Sequence, residues 1–326
     1  MNQRLKRRDI IKGVTFAIGA TLLPASLSAK QSTTRSPNRS LRIAHLTDAH
    51  VQPEHGADEG LRTCIRHATT NHAPDLFIAG GDQIMDALAK PRDRVKTQFD
   101  LWNAIVKQEC SKEILHVIGN HYIWGWADKE KSQTTGDEPE YGKSWALDAF
   151  KLDKRYYSVD RNGWHIVVLD STQFDGGAYV ARIDDEQFEW LENDLKKTPT
   201  TMPIMVVSHI PIISFCPLMF SEAGPTTSPS NAKPRWSISR ALLHIDARKL
   251  KDLFAKHANI KLCLSGHIHL TDRVDYMGIT YLCNPAVSGG WWRGPFQEVG
   301  NGYTVIDLFA DGTFAHQWVH FEWAAR

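Results

Sequence analysis

The chain has 326 residues and a formal net charge of +1, and its composition is 42% hydrophobic and 23% charged. This length allows one large domain or two ordinary ones, and it is ample for a sizeable core. The balanced charge argues against a protein that coats nucleic acid and against a polybasic membrane binder. No apolar stretch approaches the ~20 residues that span a bilayer.

The first 29 residues carry a basic start, a short apolar run and then small residues. This order predicts a secretory signal peptide rather than a membrane anchor, because the apolar part is short. A basic amphipathic helix or an uncleaved anchor is the alternative. Arg7 and Arg8, followed by "DIIK", resemble the twin-arginine signal that exports folded proteins. We therefore expect an exported protein, periplasmic or extracellular, with no stable membrane span after the signal is removed.

Residues 30–40 are polar and predict a flexible leader, so that the folded domain would span residues 41–326. The cysteines have no C-x-x-C spacing, and their odd number leaves at least one unpaired. They are Cys64, Cys110, Cys216, Cys263 and Cys283. Cys263 and Cys283 lie in apolar runs, where buried free thiols are the usual outcome.

From residue 41 onward, short apolar runs alternate with helical patterns. Runs with adjacent Val, Ile and Leu predict strands buried on both faces at 41–47, 75–80, 113–119, 164–170, 203–208, 260–266 and 279–284. Apolar residues at helical spacing predict helices near 57–70, 93–108, 144–150, 184–196 and 246–257. Hairpins are predicted at Asn162-Gly163 and Asp311-Gly312. This βα rhythm predicts one α/β domain with a mixed sheet or a pair of sheets.

Two segments, 124–143 and 211–240, are polar and irregular, and they are longer than typical connections. Long loops of this kind often carry functional residues, so we expect both to form walls of an active site rather than part of the core.

Polar side chains suited to metal binding follow five of the predicted strands. They are Asp48 and His50, Asp82, Asn120 and His121, His209, and His267 and His269. Each of these five segments alone has a composition that is common in turns. Their occurrence in this order, each directly after an apolar run, is hard to explain by coincidence. Because α/β sheets place ligand sites at strand carboxyl ends, the set predicts a metal site.

This ordered pattern, D-x-H, G-D, G-N-H, H and G-H-x-H, resembles the calcineurin-like metallophosphoesterase superfamily over nearly all of residues 41–275. The resemblance implies a four-layer α/β/β/α sandwich of two mixed β-sheets flanked by helices. It implies one metal ion held by Asp48, His50, Asp82 and His269, and a second held by Asp82, Asn120, His209 and His267. Imidazole and hard oxygen donors suit two ions of Mn, Fe or Zn.

The same resemblance implies hydrolysis of a phosphoester by hydroxide that the two metal ions activate. His121 is not a ligand in the family pattern. It would donate a proton to the leaving oxygen or stabilise it, and the alternative is a spectator fixed by Asn120.

Two departures narrow the resemblance. The chain has His50, and it has Met85 where the purple acid phosphatases place a tyrosine ligand, so it looks unlike that branch. Tyr122 stands where the family usually has an acid. We expect metal binding to be retained, because an acid at this position is not a metal ligand in the family. The change affects the hydrogen bonding that orients His121, and with it the substrate class. Asp86 could replace the missing acid.

Residues 283–303 are rich in glycine around two tryptophans. They predict either a packed cap or a mobile wall, in which an indole stacks on a base or sugar and Arg293 meets a phosphate. The candidate substrate contacts are therefore Tyr122, Trp291, Trp292 and Arg293.

The chain most resembles the cyclic-nucleotide phosphodiesterase-like branch, so the leading expectation is hydrolysis of a small phosphodiester such as a nucleotide or glycerol-phosphate derivative. The alternatives are a phosphomonoesterase, a nucleotide pyrophosphatase, and a non-catalytic binding protein of the same fold. The last would be expected to have lost ligands, and every ligand position is filled. No nucleic-acid polymer is implied, and no pattern predicts an oligomeric state.

Overall fold

A computed structural model of the protein describes residues 38–219 and 237–323. The predicted signal peptide, the leader up to residue 37 and the part of the predicted wall at 220–236 lie outside these residues. The first strand begins at Arg39, so the last two residues of the predicted leader belong to a sheet. No helix in the described ranges is long and apolar enough to cross a membrane.

Two large sheets form the centre of the fold. The five-stranded sheet consists of β1 (Arg39–Leu46), β2 (Leu76–Ala79), β3 (Ile114–His116), β12 (Gly302–Phe309) and β13 (Phe314–His320). The six-stranded sheet consists of β4 (Tyr157–Arg161), β5 (Trp164–Leu169), β8 (Ile204–Ser208), β9 (Ile260–Ser265), β10 (Asp272–Tyr276) and β11 (Ile279–Cys283). Their spatial orders are β13-β12-β1-β2-β3 and β10-β11-β9-β8-β5-β4. In the five-stranded sheet β1, β2 and β3 are parallel, and β12 and β13 add antiparallel pairs at one side. In the six-stranded sheet the four middle strands are parallel and both edge strands are antiparallel, so both sheets are mixed.

The remaining elements are helices and one small hairpin. The helices are α1 (Ala57–His72), α2 (Arg92–Glu109), α3 (Lys129–Ser132), α4 (Ser144–Phe150), α5 (Asp185–Lys197) and α6 (Ala247–Phe254). The hairpin pairs β6 (Thr172–Asp175) with β7 (Ala178–Ala181). All seven predicted strands and all five predicted helices are present, with ends that differ by a few residues.

Three apolar clusters show how these elements form layers. One cluster lies between the two sheets and includes Ile43 of β1 and Met205 of β8. A second joins α1 and α2 to the five-stranded sheet, and a third joins α5 and α6 to the six-stranded sheet. Because side chains alternate along a strand, Ala44 and Val206 face the outer clusters while their neighbours face the inner one. The four-layer α/β/β/α sandwich is therefore confirmed.

Two-residue turns join several strands. Asn162 and Gly163 both have positive φ, 49° and 84°, as the predicted hairpin between β4 and β5 requires. Sequence analysis missed the β6–β7 and β10–β11 hairpins, because β6, β7 and β10 are half exposed and lack a continuous apolar run. The Gly176-Gly177 pair between β6 and β7 was the available signal.

Both predicted walls are partly core, since Ile212 of segment 211–240 is buried in the cluster that joins α5 and α6 to the six-stranded sheet. Trp124 is fully buried, donates its indole N–H to the Lys90 carbonyl at 2.9 Å, and packs edge-on against Trp145 with ring centroids 5.3 Å apart. The expectation that segment 124–143 lies outside the core is therefore wrong at its first residue, because the indole supplies apolar area that the polar sequence around it conceals. All five cysteines are free, and Cys263 and Cys283 are buried as expected.

His165 of β5 lies between two carboxylates and should make stability depend on pH. Its ring nitrogens are 2.6 Å from Asp160 and 2.8 Å from Asp194. Burial acts to lower the pKa of His165, but the hydrogen bonds with Asp194 and Asp160 outweigh it and the net pKa is raised. The resulting stability is fully present below the unfolded pKa of about 6.5 and is lost as pH rises through the folded pKa.

We expect His165→Asn to remove this dependence, with a small effect of roughly 0–1 kcal/mol because Asp160 is largely exposed. Urea unfolding of both proteins at about pH 5.5 and about pH 8.5 measures it. The excess of the wild-type free energy of unfolding over that of the variant should be smaller at the higher pH. An excess that is larger there would contradict this role of His165.

Candidate metal centre

The candidate ligands meet at one edge of the sandwich, where parallel strands of both sheets end. Asp48 and His50 follow β1, Asp82 follows β2, and Asn120 and His121 form a short 3₁₀ turn after β3. From the six-stranded sheet, His209 follows β8, and His267 and His269 follow β9. Each sheet therefore supplies part of the cluster.

The backbone at these positions is unusual. Left-handed φ angles, from 43° to 69°, occur at Asp48, His50, Asp82, His267 and His269. Such angles cost energy in non-glycine residues, and they concentrate at functional sites where the surrounding fold imposes them. The fold therefore bends the turns after three strands, β1, β2 and β9, so that the side chains of these five residues point to one place.

Glycines let the backbones of these turns approach closely. A Cβ atom on Gly119 would lie 2.1 Å from Asp82 Oδ1, and one on Gly81 would lie 2.2 Å from His209 Nδ1. Gly81 also has a φ of 102°, which side chains disfavour. These contacts explain why glycine stands immediately before the candidate ligand in both "GGD" and "GNH".

The first set of donors contains Asp48, His50 and His269. Their ligand atoms all lie within 4.8 Å of one another. Asp48 Oδ1 is 3.7 Å from His50 Nε2 and 3.4 Å from His269 Nε2, and the two Nε2 atoms are 3.1 Å apart. All three side chains are buried.

The second set of donors contains Asp82, His209 and His267, again within 4.8 Å of one another. His209 Nε2 lies 3.0 Å from Asp82 Oδ2 and 3.2 Å from the amide oxygen of Asn120. Asp82 also forms a close group with His50 and His121. Its carboxylate therefore lies beside both sets, the position that the family resemblance implies for a shared ligand.

Hydrogen bonds to backbone carbonyls orient three of the imidazoles. His209 Nδ1 pairs with Gly80 O at 2.9 Å, His269 Nδ1 with Gly289 O at 2.6 Å, and His267 Nε2 with Ala241 O at 3.0 Å. A carbonyl can only accept, so each of these nitrogens carries the proton and the other nitrogen of the ring is left for a ligand. Outer partners of this kind are typical of metal-binding histidines.

Burial and charge set the protonation of the cluster. Burial lowers the pKa of His50 to about 4 and that of His267 to about 3, so both rings are neutral at neutral pH. Burial also acts to lower the pKa of His209, but the carboxylates of Asp82 and Asp48 outweigh it and raise the pKa to about 9. Burial acts to raise the pKa of Asp48, and the neighbouring imidazoles, first His209, outweigh it and lower the pKa well below its usual range.

The donor set fits metal ions. Asp48 Oδ2 accepts from the Thr47 hydroxyl and from the His267 backbone N–H, while Oδ1 is buried, has no hydrogen-bond partner and faces the imidazoles. When the His209 ring is neutral, its Nε2 carries no proton and faces two further acceptors, the oxygens of Asp82 and Asn120. A buried group of acceptors with so few donors is suited to hold a cation, and imidazole with carboxylate and amide oxygens suits Mn, Fe or Zn.

His121 is more accessible than the buried imidazoles, because its side chain is 24% exposed. Its Nδ1 bonds to the Met85 carbonyl, and its backbone N–H donates to Asp82 Oδ1 at 2.9 Å. The ring lies edge-on to His50 at 4.8 Å, and Nε2 is 3.8 Å from Asp82 Oδ2. His121 therefore adjoins both the candidate ligands and solvent. Asp86 Oδ1 lies 3.9 Å from Nδ1, beyond hydrogen-bond distance.

Tyr122 does not line this cleft, which corrects its assignment as a substrate contact. The side chain is fully buried among Phe99, Phe150 and their neighbours. Its hydroxyl accepts the backbone N–H of Gln83 at 2.5 Å, one residue after Asp82. The ring fills a gap in the aromatic core, and the hydroxyl supports the turn that carries Asp82.

We expect Tyr122→Phe to lower the free energy of unfolding by about 1–3 kcal/mol, because the buried Gln83 N–H loses its acceptor. Chemical denaturation measures the change. Tyr156→Phe is the matched control, since that hydroxyl bonds to Glu186 near the surface at 2.9 Å and water can replace it. Equal losses in the two variants would show that the Gln83 contact contributes nothing specific.

The three other predicted substrate contacts differ in position. Trp292 is fully buried and donates to the Ala49 carbonyl at 2.8 Å, so it is a packing residue and its assignment as a substrate contact is wrong. Trp291 is half-buried and lies against the His269 ring with centroids 4.6 Å apart. Arg293 is exposed and lies 3.2 Å from His55 Nε2. Trp291 therefore lies beside the first set of donors, whereas the recorded contact of Arg293 is with His55 and not with a candidate ligand.

Tyr179 is a residue that sequence analysis missed. It lies on β7, with its ring 6.3 Å from the His267 ring. Burial raises the pKa of Tyr179, and the charges of Asp82 and Asp48 raise it further. The β6–β7 hairpin therefore forms a wall beside the second set of donors.

Comparisons with known proteins agree with this arrangement. A family model described as calcineurin-like phosphoesterase matches residues 41–270, which is more than half of the chain and includes every candidate ligand. The chain is 25% identical over 285 residues to the 3′,5′-cyclic adenosine monophosphate phosphodiesterase CpdA of Escherichia coli strain K12. That match covers 84% of this chain and 87% of the relative.

The similarity extends to proteins whose names describe phosphatases. The chain is 24% identical over 281 residues to a probable purple acid phosphatase of Arabidopsis thaliana, covering 82% of this chain but only 57% of that protein. Among solved structures, a dimetal phosphatase from Danio rerio has a TM-score of 0.55 at 15% identity, over 83% of this chain and 94% of that one. This last likeness concerns the fold alone.

Proposed function

The chain belongs to the calcineurin-like phosphoesterase family, whose members are metal-dependent hydrolases, and on that premise we propose that it hydrolyses a small phosphodiester with two metal ions. Asp48, His50 and His269 would hold one ion, and Asn120, His209 and His267 the other, with Asp82 shared. Mn, Fe and Zn are the ions that fit these donors.

The observation that carries this proposal is the position of Asp82. Its carboxylate lies within ligand distance of donors from both sets, and a carboxylate has two oxygens that can each bind a cation. Two ions held in this way, when bound, supply a water molecule of lowered pKa and positive charge beside the phosphoryl oxygens.

The protein's own groups would complete the chemistry. His121 donates its Nδ1–H to the Met85 carbonyl, so the protonated ring would hold a second proton on Nε2, on the cleft side, for the leaving oxygen. Trp291, held against His269, offers an apolar face to a base or sugar, and Arg293 offers a cation to a second phosphate. Contacts at this edge would orient the substrate so that its leaving oxygen faces His121.

The preference for a diester rests on the relative from Escherichia coli, which is named a cyclic adenosine monophosphate phosphodiesterase. A phosphomonoesterase or a nucleotide pyrophosphatase would use the same ligands. The N-terminal pattern further supports export through a twin-arginine signal, with the enzyme acting outside the cytoplasm.

The test compares hydrolysis of bis-p-nitrophenyl phosphate, p-nitrophenyl phosphate and 3′,5′-cyclic adenosine monophosphate by the full chain with added Mn²⁺. We expect turnover that disappears on chelation and returns with the metal, and a diester rate above the monoester rate. A higher monoester rate would overturn the diester assignment. Absence of turnover on all three substrates with two metal ions bound would overturn the hydrolase itself.

A further inference from the structure

We propose that Cys216, Asp272 and Cys283 form a separate binding site for a soft divalent cation of the zinc type. The ligand atoms of these residues lie within 4.8 Å of one another. None of them belongs to the candidate phosphoesterase centre, which contains no thiol.

The fold brings the three residues together from distant parts of the chain. Asp272 begins β10 and Cys283 ends β11, and these two residues pair directly across the antiparallel hairpin. Cys216 begins a short 3₁₀ helix, Cys216–Met219, that packs over them. The site therefore joins a loop to the edge of the six-stranded sheet.

Asp272 is oriented as a ligating carboxylate would be. Its Oδ2 accepts three hydrogen bonds, from the Ser214 hydroxyl at 2.9 Å, the Phe215 N–H at 2.6 Å and the Cys216 N–H at 3.1 Å. Its Oδ1 is shielded from solvent and has no hydrogen-bond partner. A buried carboxylate oxygen without a donor is costly, and a cation would satisfy it.

The two thiols supply the rest of the donor set. Both cysteines are buried, and Cys283 Sγ lies 3.5 Å from the Gly266 carbonyl. Two thiolates with one carboxylate suit zinc far better than magnesium or calcium. Binding would release the thiol protons to solvent, and the cation would then offset the charge of the thiolates and of Asp272.

A disulfide between the same cysteines is the competing outcome. It would form an S–S bond with loss of two protons and two electrons, and it would leave Asp272 Oδ1 without a partner. Since only a cation satisfies both the sulfurs and that oxygen, the carboxylate favours metal binding.

Cobalt substitution tests the site in the full chain. Co²⁺ bound by thiolates gives a sulfur-to-metal charge-transfer band in the near ultraviolet, which imidazole and carboxylate ligands do not give. We expect this band in the wild type, together with the weaker visible absorption of Co²⁺ at the phosphoesterase centre. Added Zn²⁺ should abolish the band, and the protein should bind one more equivalent of Zn²⁺ than the Cys216→Ser/Cys283→Ser double variant.

Two controls make the result specific. Cys64→Ala removes a buried thiol of α1 outside the site, and it should keep the band. Asp272→Asn keeps both thiols and should weaken Zn²⁺ binding. A wild type that shows visible Co²⁺ absorption without the charge-transfer band would overturn the proposal. So would three free thiols instead of five in the unreduced, unfolded protein, because they would indicate a disulfide. Neither readout depends on turnover, so this site and the proposed function can fail separately.

Discussion

Asp82→Asn should remove phosphodiester hydrolysis, with a fall in kcat greater than the roughly 10–100-fold that loss of an outer partner of a metal ligand costs. The substitution preserves shape but removes a carboxylate that forms close groups with donors of both sets. His209 then loses the charge only 3.0 Å from its Nε2. We expect metal analysis to show that both ions are held less tightly, whereas His209→Ala should weaken the second set selectively.

Asp153→Asn is the matched control, since Asp153 is an exposed aspartate on a loop outside the centre. It should leave both metal content and kcat unchanged. An Asp82→Asn protein that keeps two ions and wild-type turnover would exclude Asp82 as a shared ligand and would remove the observation on which the proposed function rests.

His121→Ala should separate proton transfer from metal binding. A positioned acid–base group contributes about 10²–10⁴-fold, and His121 adjoins the ligands without being needed to complete either set. We therefore expect a fall of that size in kcat with cyclic adenosine monophosphate, whose alkoxide leaving group needs a proton. The fall should be much smaller with bis-p-nitrophenyl phosphate, because nitrophenolate leaves without protonation. Metal content should stay at the wild-type level.

The leaving-group dependence is the decisive readout, since a structural role for His121 would slow both substrates alike. His257→Ala serves as the control and should change neither rate, because His257 lies before the start of β9 while the candidate ligands follow the opposite end of that strand. Equal losses on both substrates in His121→Ala would contradict the proton-donor assignment and favour the spectator that Asn120 fixes.

The candidate ligands could be found from sequence because each one follows an apolar run that ends at the same edge of a sheet. Local patterns carried that information: "GGD" and "GNH" contain the glycines that the close backbone approaches require. Tyr122 was not predictable in this way. Its neighbour His121 faces the cleft while Tyr122 itself packs on Phe99 and Phe150. A 3₁₀ turn of three residues is too short to repeat a side-chain pattern in the sequence, so the two directions could not be told apart.

The side-chain directions of Trp291 and Trp292 could not be predicted from sequence either. Both have left-handed φ angles, 54° and 65°, yet one lies against His269 and the other fills the core beneath α1. Composition alone gave both residues the same role. The cluster of Cys216, Asp272 and Cys283 was equally hidden, because strand pairing and a loop crossing bring together positions that have no motif spacing.

The division of the donors between two sheets has a mechanical consequence. Asp48, Asp82 and Asn120 move with one sheet and His209, His267 and His269 with the other, while the layer that contains Ile43 and Met205 sets the spacing and offset of the sheets. A change of volume in that layer would shift one half of the centre relative to the other and alter every distance between a donor of one sheet and a donor of the other. Activity can therefore be tuned by apolar substitutions inside the sandwich, with every polar residue left in place.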